Sequence, residues 1–120
     1  MSDLKLPHDH GENLDTRFDH MPKLEDFQKA SDIFKLLDDS NRIRIFWILC
    51  HCEECVINLS AIMGMSSPAI SHHLKFLKTS GLIVSHREGK EVYYKAAETP
   101  QADLMHKTIE RLIEISCPLT

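Results

Sequence analysis

No run in this 120-residue chain approaches the roughly 18 consecutive apolar residues of a membrane span, which excludes a helical membrane protein. The opening residues, MSDLKLPHDHGENLD, hold neither an apolar run nor a small-residue cleavage pattern, so no secretory leader is expected and the expected compartment is the cytoplasm. Internal repeats and low-complexity segments are absent, which excludes a repeat array. The chain also lacks a glycine-rich phosphate loop, a carboxylate pair with a local signature and the length for a substrate-sized second lobe, so it does not read as an enzyme. What it has is 42% apolar and 27% charged residues, enough for one compact domain with one core.

Cysteine is scarce but clustered. Three of the four cysteines, Cys50, Cys52 and Cys55, fall within six residues, and the fourth is Cys117. In a reducing compartment these are thiols, and metal binding or redox sensing fits them better than a disulfide framework.

The net charge of −4 is unevenly spread. Residues 1–39 carry ten acidic against five basic residues, 40–65 two against two, 66–96 two against five, and 97–120 four against two. Only the segment 66–96 is basic. Phosphate attraction acts over about a Debye length, roughly 8–10 Å, so a local basic face can hold nucleic acid on an acidic chain. A merely solvated charged face accounts for the same counts.

Along the chain, residues 1–22 are polar, carry His8, His10 and His20, and show no apolar period; they are expected to form a mobile N-terminal arm. Residues 23–117 are expected to form the folded domain. Leu24, Phe27, Ala30, Phe34 and Leu37 recur at helical spacing, and a second helix follows a cap signal at Asp39/Ser40 through RIRIFWILC. The pattern breaks near Glu53–Glu54. VINLSAIMG then predicts a short third helix ended by Gly64, with Ser66 capping a fourth helix that has Pro68 in its first turn. Two short helices around a glycine turn make a helix-turn-helix signature. After Gly81 the period changes: Leu82–Ser85 and Glu91–Lys95 read as strands around a tip at Arg87–Lys90, with Gly89 supplying a positive φ. Thr99 and Pro100 cap and open a last helix with an apolar stripe of Leu104, Met105, Ile109, Leu112 and Ile113. The expected fold is mainly α with a small β-hairpin, in the order α-α-α-α-β-β-α.

On the fourth helix, Ile70, Leu74 and Leu77 fall on one side and Ser67, Ser71, His72, Lys75 and Lys78 on the other. Short hydroxyls near the N-terminus suit base edges, and the longer cations beyond them suit phosphates. The hairpin adds Arg87 and Lys90 as phosphate or minor-groove contacts. His73, nearer the apolar side, reads as a packed or capping histidine.

LLDDSNRIRI, SSPAISHHLKFLKTSGLI and REGKEVYYKA together resemble the ArsR/SmtB-type winged helix-turn-helix repressors of bacteria, over roughly Leu24 to Ile115. The resemblance implies a homodimer through the first and last helices and two recognition helices presented to a palindromic double-stranded operator; the lack of a span-length apolar run gives the expectation of no membrane association. In many members a Cys-x-Cys pair opens the third helix and its thiolates bind soft metal ions or arsenite. Here that segment reads EECVINL: Cys55 matches the first cysteine, Ile57 replaces the second, and Asn58 stands where an acidic residue is common. The family's other metal site, on the last helix, uses Asp, His, His and Glu; the matching positions here are Glu98, Pro100, Arg111 and Glu114, so both histidines are gone and a zinc site of that kind is not expected. His106 is expected to face solvent.

The inducer expected from the resemblance is therefore a soft ion, zinc, cadmium, copper(I), lead or arsenite, held by Cys52 and Cys55 with Cys50 as a third thiol. Cys50 also lies on the apolar face of the second helix with Ile43, Phe46 and Leu49, so core packing competes with ligation. His8, Asp9 and His10 are candidates to reach over to these thiols. The alternative sensing chemistry is a redox or persulfide switch pairing Cys55 with Cys117. A winged-helix protein-interaction module without an inducer site is a further alternative.

Overall fold

The computed structural model describes residues 7–8 and 18–116. Most of the arm expected over residues 1–22, including Asp9 and His10, lies outside the described residues, as does Cys117. The chain divides into two compact units, residues 1–31 and 32–120.

Helix α1 is Leu24–Phe34; the carboxylate of Asp26 in its first turn accepts from Lys23 N–H at 3.1 Å. None of its residues is buried, and Leu24, Phe27 and Phe34 are exposed. The helical spacing predicted for Leu24 to Leu37 is broken by a 3-10 turn, Lys35–Asp38, that buries Leu36. Helix α2, Ser40–His51, follows. Its N-cap is Asp39, whose side chain accepts from the backbone of Asn41 and Arg42 at 2.9 and 3.1 Å. Those bonds, Arg42's first, hold the Asp39 carboxyl below its usual range.

After α2 the order departs from expectation. Glu54–Cys55 form a short strand, β1, before α3, Val56–Met63. Gly64 at φ 65° ends α3, because a side chain there would strain the left-handed backbone. Helix α4, Ser67–Thr79, is capped by Ser66, which accepts from Ala69 N–H at 3.3 Å. Strands β2, Ile83–Glu88, and β3, Glu91–Ala96, pair antiparallel from Ile83↔Ala96 to Glu88↔Glu91. The turn is thus tighter than the tip expected at Arg87–Lys90: Arg87 pairs with Val92, and only Gly89, at φ 64°, and Lys90 lie outside the strands. β1 adds to the free edge of β3 through Glu54↔Tyr94 and Cys55↔Tyr93, giving a three-stranded sheet in the order β1-β3-β2. Two residues are too few for a strand period to register in the sequence; the open edge of β3 makes the strand. Helix α5, Pro100–Ser116, closes the chain, with Thr99 Oγ1 accepting from Ala102 N–H at 3.2 Å.

The core of the second unit gathers Leu36, Ile45, Phe46, Leu49, Leu59, Ile70, Leu74, Leu77, Leu82, Ile83, Met105 and Ile109. Arg42 joins three of its elements. The guanidinium donates to the Lys35 carbonyl at 3.0 Å and lies 3.7 Å over the Phe76 ring, so the 3-10 turn, α2 and α4 share one cation.

Candidate nucleic-acid interface

The candidate face is built by α4, whose apolar positions turn inward and leave the polar ones outside. Ile70, His73, Leu74 and Leu77 are buried; Ser67, Ser71, His72, Lys75 and Lys78 are exposed. Ser67 is also tied backward, its Oγ 3.2 Å from Ser60 Oγ on α3. Lys78 Nζ donates to Ser85 Oγ on β2 at 2.7 Å, so the last turn of α4 is fastened to the wing. Along one flank of α4 runs a groove of about 510 Å³ whose walls include Lys35, His72, Lys75 and Phe76. On the hairpin, Arg87 and Lys90 are exposed. The seven residues expected to meet DNA thus belong to α4 and the wing and all reach solvent.

His73 is packed rather than capping: it is 7% exposed and its Nδ1 has no hydrogen-bond partner. Burial lowers its pKa, with Asp39 pulling the other way, so the neutral ring is favoured.

The thiols are divided among three environments. Cys50 is half-buried, and burial with the nearby charges of Glu110 and Asp103 pushes its pKa up to about 11. Cys52 is exposed and its thiol donates to the Ile48 carbonyl at 3.4 Å. Cys55 is buried, is the N-cap residue of α3, and pairs with Tyr93 of the wing. Among the described residues these thiols do not converge as a three-ligand cluster; the groups whose ligand atoms lie within 4.8 Å of one another are His51, His106 and Glu110, and Glu53, His86 and Glu88. Donor chemistry at Cys52 and Cys55 still suits a soft ion, whereas Cys50 favours its protonated form. His106 departs from expectation, being half-buried against His51 with Nε2 atoms 3.2 Å apart. Neither His51 nor Glu110 was singled out from the sequence, since one falls just past the helix read through RIRIFWILC, in the expected turn beside Cys52, and the other sits among alternating charges.

Helix-turn-helix, three-stranded wing and flanking helices define a winged-helix domain. The profile of the bacterial regulatory protein arsR family matches residues 39–85. The cadmium resistance transcriptional regulatory protein CadC of Listeria innocua is 43% identical over 70 residues, 58% of this chain and 59% of that protein. The transcriptional repressor SmtB homolog of Synechocystis is 33% identical over 91 residues, 76% of this chain and 69% of that protein. Among solved structures, the homodimeric winged helix-turn-helix DNA-binding domain of a possible ArsR-family regulator from Mycobacterium bovis superposes with a TM-score of 0.70 at 26% identity, covering 78% of this chain and 87% of that one. The chain belongs to the ArsR family of bacterial regulatory proteins. It spans 59% of the length of the Listeria regulator. Relatives and fold are those of transcriptional regulators and not of enzymes. No helix among the described residues is long and apolar enough to cross a membrane.

Proposed function

We propose that this protein is a cytoplasmic homodimeric transcriptional repressor that grips a palindromic operator with two α4 helices and two wings and releases it when a soft metal ion or arsenite is bound at cysteine thiolates. The observation that carries the DNA-binding part is the division of α4 into a buried apolar side and an exposed side running from Ser67 and Ser71 to Lys75 and Lys78. Ser71 and His72 address base edges; Lys75, Lys78, Arg87 and Lys90 neutralise phosphates. Dimerisation is supported by exposed apolar residues on α1 (Leu24, Phe27, Phe34) and α5 (Leu104, Leu112, Ile113, Ile115), which a second copy would cover.

Cys52 and Cys55, with Cys50 as the third thiol, would hold the inducer. Position supports this reading: Cys55 begins α3 and is paired with the wing through β1, while Ser60 and Ser67 link α3 to α4. Any displacement of Cys55 therefore reaches both DNA-contacting elements through hydrogen bonds already in place. A tenfold loss of operator affinity needs only about 1.4 kcal/mol of such coupling.

The test is a gel-shift series against the DNA upstream of the protein's own gene. Lys75→Ala and Arg87→Ala should each lower the salt slope by about one, and Ser71→Ala should relax base preference at one position per half-site. Unchanged salt slopes in both charge variants would remove this surface from the interface. Release is then titrated with cadmium, zinc, copper(I), lead, arsenite and a persulfide donor on wild type, Cys55→Ser and Cys117→Ser. Loss in Cys55→Ser alone supports the metal reading, loss in both supports a Cys55–Cys117 crosslink, and identical responses in all three discard the thiols as the trigger.

A further inference from the structure

We propose that His51, His106 and Glu110 form a second metal site, independent of the thiols, for a borderline divalent transition-metal ion such as zinc, cobalt or nickel. The three residues come from the last position of α2 and from successive turns of α5, and the fold alone brings them together. His51 Nε2 and His106 Nε2 face each other at 3.2 Å. Two nitrogens each about 2.05 Å from a tetrahedral ion lie about 3.3 Å apart, so both rings are already at ligand spacing. The Glu110 carboxylate stands 3.5 Å from His106 Nε2 and 4.0 Å from His51 Nε2, adding the negative charge a divalent ion requires.

The groups around the trio orient it. Trp47 Nε1 donates to Glu110 Oε2 at 3.3 Å, and the Trp47 ring lies 4.2 Å from the His51 ring. These contacts fix one carboxylate oxygen and one imidazole plane, as partners behind metal ligands do. A groove of about 800 Å³ runs past His51 and His106, beside Cys52, Glu98 and Asp103, and leaves room for a water or a fourth donor. Two imidazoles and a carboxylate with an open position suit zinc, cobalt or nickel better than copper(I), lead or arsenite. At about 100° per residue, Leu104, Leu112 and Ile115 fall on the opposite flank of α5 from His106 and Glu110, while Ile113 falls on the same flank, so the site borders one edge of the apolar face assigned to dimerisation.

An ion here would clamp the end of α2 to α5, three residues before β1. This proposal does not depend on the operator-binding reading, and the test needs no DNA. Trp47 is the single tryptophan of the chain and touches two of the three ligands, so its emission reads the site directly. The full chain, reduced and metal-free, is titrated with zinc by fluorescence and calorimetry and with cobalt by absorbance, as wild type, Glu110→Gln, His106→Ala and Cys52→Ser/Cys55→Ser.

The expected result is a Trp47 emission change that is complete at one zinc per chain once the thiols are removed and is weakened at least tenfold in His106→Ala and Glu110→Gln. It should be retained in the double-cysteine variant, and the cobalt spectrum of that variant should show ligand-field bands without a sulfur charge-transfer band. Glu110→Gln keeps an acceptor for Trp47 and is exposed, so it guards against a folding defect in His106→Ala. No emission change in wild type by two equivalents, unaltered affinity in Glu110→Gln, or loss of the response in the double-cysteine variant would each overturn the site; the first leaves a hydrogen-bonded trio and the last hands the metal to the thiols.

Discussion

Lys78 Nζ donates to Ser85 Oγ at 2.7 Å, joining the last turn of α4 to β2. Both side chains are exposed or half-buried, so the bond contributes little to stability, but it ties α4 to β2, the two elements proposed to approach DNA together. Ser85→Ala should leave urea stability within about 0.5 kcal/mol of wild type. Operator affinity should fall by about 1 kcal/mol, roughly fivefold, in gel shifts at fixed salt.

Asp39 is the cap of α2, and its replacement by alanine should cost about 1 kcal/mol in denaturant unfolding. The folded carboxyl has a pKa below its ordinary 3.8, so its stabilisation is fully present above 3.8 and is lost as pH falls through the lowered value. Asp39→Asn should keep part of the cap and lose the pH dependence, checked by unfolding at pH 3 to 6.

His73 should make the protein acid-sensitive in a second window. Its pKa is depressed by burial, so the unfolded chain takes up a proton near the ordinary value of 6.5 while the folded one resists until lower pH. Stability from the neutral ring is present above 6.5 and declines as pH falls toward the lowered value. His73→Leu should flatten thermal stability between pH 7 and 5; an unchanged slope would assign the acid sensitivity to other groups.

Replacing Leu104 and Leu112 with lysine should give monomers with weak operator affinity, because two half-sites then bind separately. Both are exposed on α5, so each chain should keep its helical circular dichroism. Sedimentation velocity at micromolar concentration separates the outcomes; a wild-type monomer there would refute the dimer.

Thiol labelling should follow exposure and acidity. In a Cys117→Ser background, Cys52 should alkylate first at pH 7, because it is exposed, while Cys50 at about 11 is thiolate only to about one part in 10⁴. Peptide mass mapping against time checks the order; Cys50 reacting first would contradict its burial.

The sequence by itself determined what local chemistry decides. Asp39, Ser66 and Thr99–Pro100 begin helices because a side-chain oxygen there satisfies the first free N–H groups. Gly64 and Gly89 turn the chain because a positive φ favours glycine. The alternation of Ile70, Leu74 and Leu77 with Ser71 and Lys75 set the inward and outward sides of α4 in advance, since helical period is a property of neighbours four residues apart. The tertiary structure alone decided the rest. β1 exists because two residues meet an open strand edge some forty positions later, and the 3-10 turn because Leu36 must reach the core. Lys78 meets Ser85 only after the hairpin folds back. His51 and His106, 55 residues apart, become neighbours only when α5 packs on α2 through Met105 and Ile109, a long-range consequence of apolar burial that no local pattern encodes.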